Sequence, residues 1–181
     1  MEFQDFPKMA RWSREIVITE KLDGTNAQIC IDEDGGFKAG SRTRWITPED
    51  DNYGFATWAM QNKDELMKLG VGRHHGEWWG QGIQRGYAMT KKRFSLFNTF
   101  RWTTETLPGC CAVVPVIYQG IMVPGAMEKA IKQLAESGSI AAPGFMNPEG
   151  IVLFHVAGNV GFKKTIHKDE APKSKQNNQP A

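Results

Sequence analysis

No stretch of the 181-residue chain approaches the run of about 18 apolar residues that a membrane-crossing helix requires. Cysteine is scarce. Cys30, Cys110 and Cys111 are an odd number with two of them adjacent, which suits neither a disulfide framework nor a zinc site. Net charge is nearly absent as well, at +2, so the overall field is too weak to gather nucleic acid. Any such contact has to come from locally arranged Arg and Lys. The first residues, Met1-Glu2-Phe3-Gln4-Asp5, are acidic and lack the apolar stretch of a secretion signal. These absences predict a soluble protein of the reducing cytoplasm, neither secreted nor spanning a membrane. What is present, a 40% hydrophobic share, is enough for one full core and leaves little room for a second domain of ordinary size.

Strand-like segments dominate the front half. The apolar run Ile16-Val17-Ile18 leads into Glu20-Lys21-Leu22-Asp23-Gly24-Thr25-Asn26, so a strand delivers Lys21 to a tight Asp-Gly turn. Residues 26–31 alternate, Asp34-Gly35-Gly36 turns the chain, and 37–41 return as the partner strand. From residue 51, Phe55, Trp58, Ala59, Asn62, Leu66 and Leu69 fall near a 3.6-residue period, predicting a helix that Gly70 stops. Further strands are expected at 75–79, 94–100, 112–118, 150–156 and 159–166. A second helix is expected at 126–136, with Met127, Ala130, Ile131 and Leu134 on one face and Gly138 after it. Residues 169–181 are polar, proline-containing and without apolar periodicity, and read as a flexible tail after a domain at 1–168. The fold class that follows is α+β, antiparallel sheets flanked by helices.

Several polar residues are not what a packed core asks for. A lysine amine is a nucleophile only when neutral, and moving a lysine pKa from about 10.4 to near 7 needs roughly 4–5 kcal/mol of bias from burial or neighbouring cations. Glu77 lies in His75-Gly76-Glu77-Trp78-Trp79-Gly80, and Glu149 stands at the entrance to Gly150-Ile151-Val152-Leu153. Two acids at strand ends suit a hydrated divalent metal or a ribose, although either alone is more often a surface charge. Arg42 and Arg44 follow a predicted strand, and planar guanidinium groups suit phosphate oxygens. Lys163 and Lys164 close the set. On an ordinary strand one of the two faces solvent.

In this order the residues resemble the covalent nucleotidyltransferases, and most closely the ATP-dependent RNA ligases. Lys21-Leu22-Asp23-Gly24-Thr25-Asn26 is similar to the family's first motif, and Ser41-Arg42-Thr43-Arg44 to the next. Gly76-Glu77-Trp78-Trp79-Gly80, Phe94-Ser95-Leu96-Phe97-Asn98, Glu149-Gly150-Ile151-Val152 and Phe162-Lys163-Lys164 are similar to the ones after it, spanning positions 20 to 164. The resemblance implies a ligase adenylation fold and assigns roles. Lys21 would attack the α-phosphorus of ATP, and Phe97 would stack on adenine, unless it is a plain core phenylalanine. Glu77 would bind the ribose, with Glu20, Leu22 and Asn26 as further nucleotide contacts and Glu20 at the adenine edge. Asp23 and Glu149 would engage Mg²⁺ or Mn²⁺, Lys163 or Lys164 would neutralise phosphate charge, and Arg42 would hold the nucleotide or an RNA 5′-phosphate.

Two departures qualify the resemblance. The family's last motif has two lysines separated by one residue, whereas Lys163 and Lys164 are adjacent and point to opposite faces of a regular strand. Lys163, directly after Phe162, is the favoured one, and a β-bulge would bring in both. The residues after Lys164 are also too few for the OB-fold of DNA ligases and capping enzymes, leaving Lys168, Lys173 and Lys175 as weak, salt-sensitive phosphate contacts. The expected activity is sealing of RNA ends or nicked duplex, with a separate RNA-binding partner as an added expectation. The alternatives are a minimal DNA-nick ligase and a non-catalytic nucleotide- or nucleic-acid-binding module.

Overall fold

A computed structural model describes residues 1–167 and Asp169. The tail expected at 169–181 therefore lies, except for Asp169, outside the described residues, as do Lys168, Lys173 and Lys175. Among the described residues ten strands form two sheets. β1 (Glu15–Lys21), β8 (Val116–Ile121), β9 (Gly150–His155) and β10 (Val160–Thr165) make an antiparallel sheet in the order β10-β9-β1-β8. The second sheet runs β4-β3-β2-β5-β6-β7. It comprises β2 (Thr25–Ile31), β3 (Phe37–Gly40), β4 (Trp45–Ile46), β5 (Gly72–Gly80), β6 (Lys92–Leu96) and β7 (Cys111–Val113), with one parallel pair, β6 with β7.

Each sheet buries one face under helix. Behind the six-stranded sheet, Ile29, Trp78 and Phe94 pack against Phe55, Ala59 and Leu66 of α1 (Phe55–Gln61) and α2 (Lys63–Leu66). Behind the four-stranded sheet, Ile16, Ile18, Ile151 and Leu153 meet Ala126, Ala130 and Leu134 of α3 (Ala126–Ser137). Full burial of each large apolar side chain contributes roughly 1.5–3 kcal/mol. The period-2 alternation that buries one face of each sheet leaves the other two faces to line a cleft between them. No described helix is long and apolar enough to cross a membrane.

The strand expected at 75–79 extends over Gly72–Gly80, and three predicted elements are broken or cut short. The helix expected over 51–69 starts at Phe55 and breaks at Asn62 into two short helices and a 3-10 turn, Met67–Leu69. Asn62 has φ −108° and ψ 17°, and its amide donates to the Trp58 carbonyl, the local competition with helix typical of Asn. The strand expected at 112–118 is two strands in different sheets. Between them the Val114 N–H goes to Leu96 of one sheet, while the Pro115 carbonyl accepts from Glu20 of the other. Proline has no N–H with which to continue a ladder. The strand expected over 94–100 ends at Leu96, because Asn98 accepts from the Arg101 N–H and turns the chain. Phe97 follows the last strand residue and keeps one bond to the sheet, its N–H donating to the His75 carbonyl.

Candidate nucleotide-binding site

Residues 20, 21 and 22 show how one strand end makes a site. Lys21 follows Val17 and Thr19 on the cleft face of β1, in a cavity of about 720 Å³ walled by both sheets. Gly24 permits the sharp exit from the strand, since a Cβ there would lie 2.3 Å from the Trp78 carbonyl oxygen and 2.7 Å from Trp79 Cβ. Across the ladder, Lys21 is opposite Gly150, which brings Glu149 alongside it. Lys21 Nζ donates to Glu149 Oε2 at 2.6 Å; Glu149 is 1% exposed.

Glu77 faces the same cavity from β5. Its Oε1 accepts from the Gly24 N–H and its Oε2 from Asn26 Nδ2, both at 3.0 Å. Burial pushes its carboxyl up to about 7, against the opposing pull of Lys21 and the Gly24 N–H, with Glu149 reinforcing the rise. Lys21, Glu77 and Glu149 are thus one electrostatic cluster, the first two lining the cavity and Glu149 bonded to Lys21. Phe97 borders the cavity and is 42% exposed, so it is not a plain core phenylalanine. Val152 and Phe154 of β9 and Phe97 supply apolar wall.

The other predicted residues are placed with varying fit. Leu22 borders the cavity but packs its side chain with Trp79, Tyr87 and Val114. Arg42 is exposed in the turn after β3 and does not line the cavity. Lys163 pairs with Val152 and so shares the cleft face, while Lys164 pairs with the fully buried Ile151 and faces the other way. Neither lysine reaches the cavity wall; Thr165, opposite Gly150, takes the cleft-facing place two residues after Lys163.

Glu20 and Asp23 serve differently from their expected roles. Glu20 borders the cavity, but its buried carboxylate accepts from Ser139 Oγ at 2.6 Å and the N–H groups of Ile140 and Ala141 at 2.8 and 2.9 Å. Its side chain is therefore not available to an adenine edge. Asp23, with 6% of its side chain exposed, accepts from Arg85 Nε at 2.8 Å, and its N–H donates to the Tyr87 hydroxyl. Arg85 Nη1 also donates to the carbonyls of Asn147 and Pro148 and to Asn147 Oδ1, so it ties the Lys21 turn to the segment that enters Glu149. Sequence reasoning missed Arg85 and Tyr87. Their loop is conformationally costly, with Gln84, Tyr87 and Ala88 all at φ near +50°.

Among the described residues, no three His, Cys, Asp or Glu side chains group as a metal cage. Mg²⁺ or Mn²⁺ bound with a nucleotide needs only one or two carboxylates beside phosphate oxygens and water, and Glu149 fits that demand. Asp23 and Glu149 each already hold a cationic side chain, Arg85 and Lys21, with which an ion would share the carboxylate.

The sequence profile described as RNA ligase matches residues 14–168. The chain belongs to the RNA ligase family. Its two largely antiparallel sheets and few helices match the nucleotidyltransferase fold of solved RNA ligases. An apo variant of Naegleria gruberi RNA ligase superposes with TM-score 0.59 at 20% identity, over 84% of this chain and 50% of that one. A variant of the Naegleria ligase with AMP and manganese gives TM-score 0.60 at 19% identity, over 85% and 50%. The Naegleria ligase with pyrophosphate gives 0.62 at 19%, over 84% and 50%. This RNA ligase-like chain spans about half the length of those structures. No curated protein sequence matches it.

Proposed function

We propose that this domain is the adenylyltransferase of an ATP-dependent RNA ligase. The observation that carries the reading is that Lys21 and Glu77 line one cavity with Glu149 hydrogen-bonded to Lys21, while Phe97, Val152 and Phe154 supply apolar wall and Arg73 and Arg101 positive charge. Support also comes from the family match and from Naegleria ligase structures that contain ATP or AMP with manganese.

Lys21 Nζ attacks the α-phosphorus of ATP; an N–P bond forms, and the bond from that phosphorus to the bridging oxygen breaks, releasing pyrophosphate. AMP is then passed to an RNA 5′-phosphate, and a 3′-hydroxyl displaces it to seal the strand. Phe97 and Val152 hold the base between them, and Glu77 holds the ribose. Glu149 keeps Lys21 in place until the nucleotide arrives. A divalent ion beside Glu149 would supply charge neutralisation for the phosphates. Lys163, on the cleft face, adds positive charge on the same side.

The test is intact-protein mass spectrometry after incubation with ATP and Mg²⁺, with peptide mapping. One AMP is expected on the peptide holding Lys21, and none in Lys21→Ala. An adduct that survives in Lys21→Ala sinks the proposal, and so does a wild-type chain that neither arrives adenylylated nor becomes so.

A further inference from the structure

The cleft face of the six-stranded sheet continues past the cavity into an open surface that the proposed chemistry does not use. Its cross-strand register defines rows. Trp45 stands opposite Gly40, Gly40 opposite Gln28, and Gln28 opposite His75, whose carbonyl accepts the Phe97 N–H. The next row along holds Lys38, Cys30 and Arg73. The row on the other side holds Asn26 and Glu77. Trp45 therefore shares a face with the catalytic cluster, four inter-strand steps from Phe97, or about 19 Å.

The ring of Trp45 is a built surface. It lies across Gly40, where an added Cβ would meet Trp45 Cε3 at 3.1 Å, so the glycine makes room for it. Arg44 donates to the Trp45 carbonyl and pairs with Asp50, which fixes the short strand. Despite this support, Trp45 is 45% exposed. Lys38 Nζ and Arg73 Cζ lie 6.0 and 5.8 Å from its ring centroid, at the outer limit of a cation–π contact. Lys38 also sits 3.8 Å from Asp32, an exposed pair that an incoming phosphate can replace. Arg73 lines the cavity as well, and so links the two places.

A flat exposed ring flanked by two cations matches a nucleotide: a base for the ring and a phosphate for each cation. A duplex end offers its bases already stacked and paired. An unpaired strand offers them free, and the open sheet face is suited to it. We propose that Trp45, with Lys38 and Arg73, is a stacking site for an unpaired nucleotide of single-stranded RNA, placed so that the strand runs along the sheet toward the Lys21 end of the cavity. This rests on the reading of the domain as an RNA ligase.

The experiment compares wild type, Trp45→Ala, Trp45→Phe and Lys38→Gln, using a fluorescent 5′-phosphorylated single-stranded RNA, a blunt RNA duplex of the same sequence, and ATP-driven self-adenylylation. Expected for Trp45→Ala is self-adenylylation at the wild-type rate, single-strand affinity lower by roughly five- to a hundred-fold, and unchanged duplex affinity. Trp45→Phe should recover most of the loss, and Lys38→Gln should lower the salt-dependence slope by about one. Unchanged single-strand affinity in Trp45→Ala, an equal loss on duplex, or no recovery with Phe overturns the stacking site. Failure of the wild type to adenylylate, with RNA binding still dependent on Trp45, would instead remove the ligase reading and leave the stacking site standing.

Discussion

Removing Arg85 should damage both stability and the first chemical step. The guanidinium donates from Nε to Asp23 Oδ2 at 2.8 Å and from Nη1 to Asn147 Oδ1 at 2.8 Å and the Asn147 carbonyl at 3.0 Å. The Asp23 side chain is 6% exposed and that of Arg85 24%. A hydrogen bond to a charged group is worth about 1.5–3 kcal/mol, and breaking a fully buried pair about 3–5 kcal/mol. Since Arg85 is a quarter exposed, water compensates part of that loss, and Arg85→Ala should cost about 2–4 kcal/mol. Urea unfolding at neutral pH reads this as a lower midpoint at unchanged slope. Arg85→Lys, which keeps the charge without the fork, should recover about half. Because the clamp joins the Lys21 turn to the residues that lead into Glu149, the rate of AMP adduct formation should also fall, measured well below the unfolding transition. A cost under about 0.5 kcal/mol would refute the energetic argument. A full loss of stability with an unchanged adduct rate would refute the positioning role.

Three further outcomes are expected. Lys163→Ala should slow adduct formation at least tenfold while Lys164→Ala changes it less than threefold; the reverse order, in a rapid-quench assay, would mean that β10 does not keep the observed register. Glu77, raised to about 7, holds a proton in the native state that the unfolded chain has lost above about pH 4.5, so its contribution makes stability fall as pH rises from 4.5 through 7. Glu77→Gln should flatten that slope in urea titrations across pH 5 to 8, and an unaltered slope would mean that another group causes it. Glu20→Gln leaves one carbonyl oxygen for three donors and should cost about 2–3 kcal/mol without changing the preference for ATP over GTP in the adduct assay. A change in that preference would restore Glu20 to the adenine edge.

The parts of the site that were legible in the sequence are those governed by period and by neighbours along the chain. The Ile16-Val17-Ile18 run predicts the strand, Asp23-Gly24 predicts the turn, and alternation alone puts Lys163 and Lys164 on opposite faces, as the register shows. The helix over 126–136 is present within a residue because its apolar face is periodic and Gly138 ends it. Pro115 inside the run 112–118 is a signal that a single central strand does not pass there, as its place between the two sheets shows. Arg85 had no such signal. Its partners Asp23 and Asn147 are each 62 residues away, and no local pattern distinguishes it from a solvated loop arginine.

The acids beside Lys21 show why motif reading assigns chemistry more readily than support. Glu20, Lys21 and Asp23 look alike as a charged cluster, yet one strand's alternation and one turn send them to three environments. Lys21 enters the cavity, Glu20 turns back to residues 139–141, and Asp23 turns to Arg85. Glu20 and Arg85 between them grip both ends of the connection from α3 to β9, which has no helix or strand of its own. That connection delivers Glu149 to Lys21. The β9 ladder, with Gly150 opposite both Lys21 and Thr165 and the Glu149 carbonyl accepting from Ile166, fixes Glu149 from its far side, and the Glu20 and Arg85 anchors hold the loop that leads into it. Stability and activity are therefore coupled at these positions, and a substitution that loosens either anchor should reach the chemistry through the placement of Glu149.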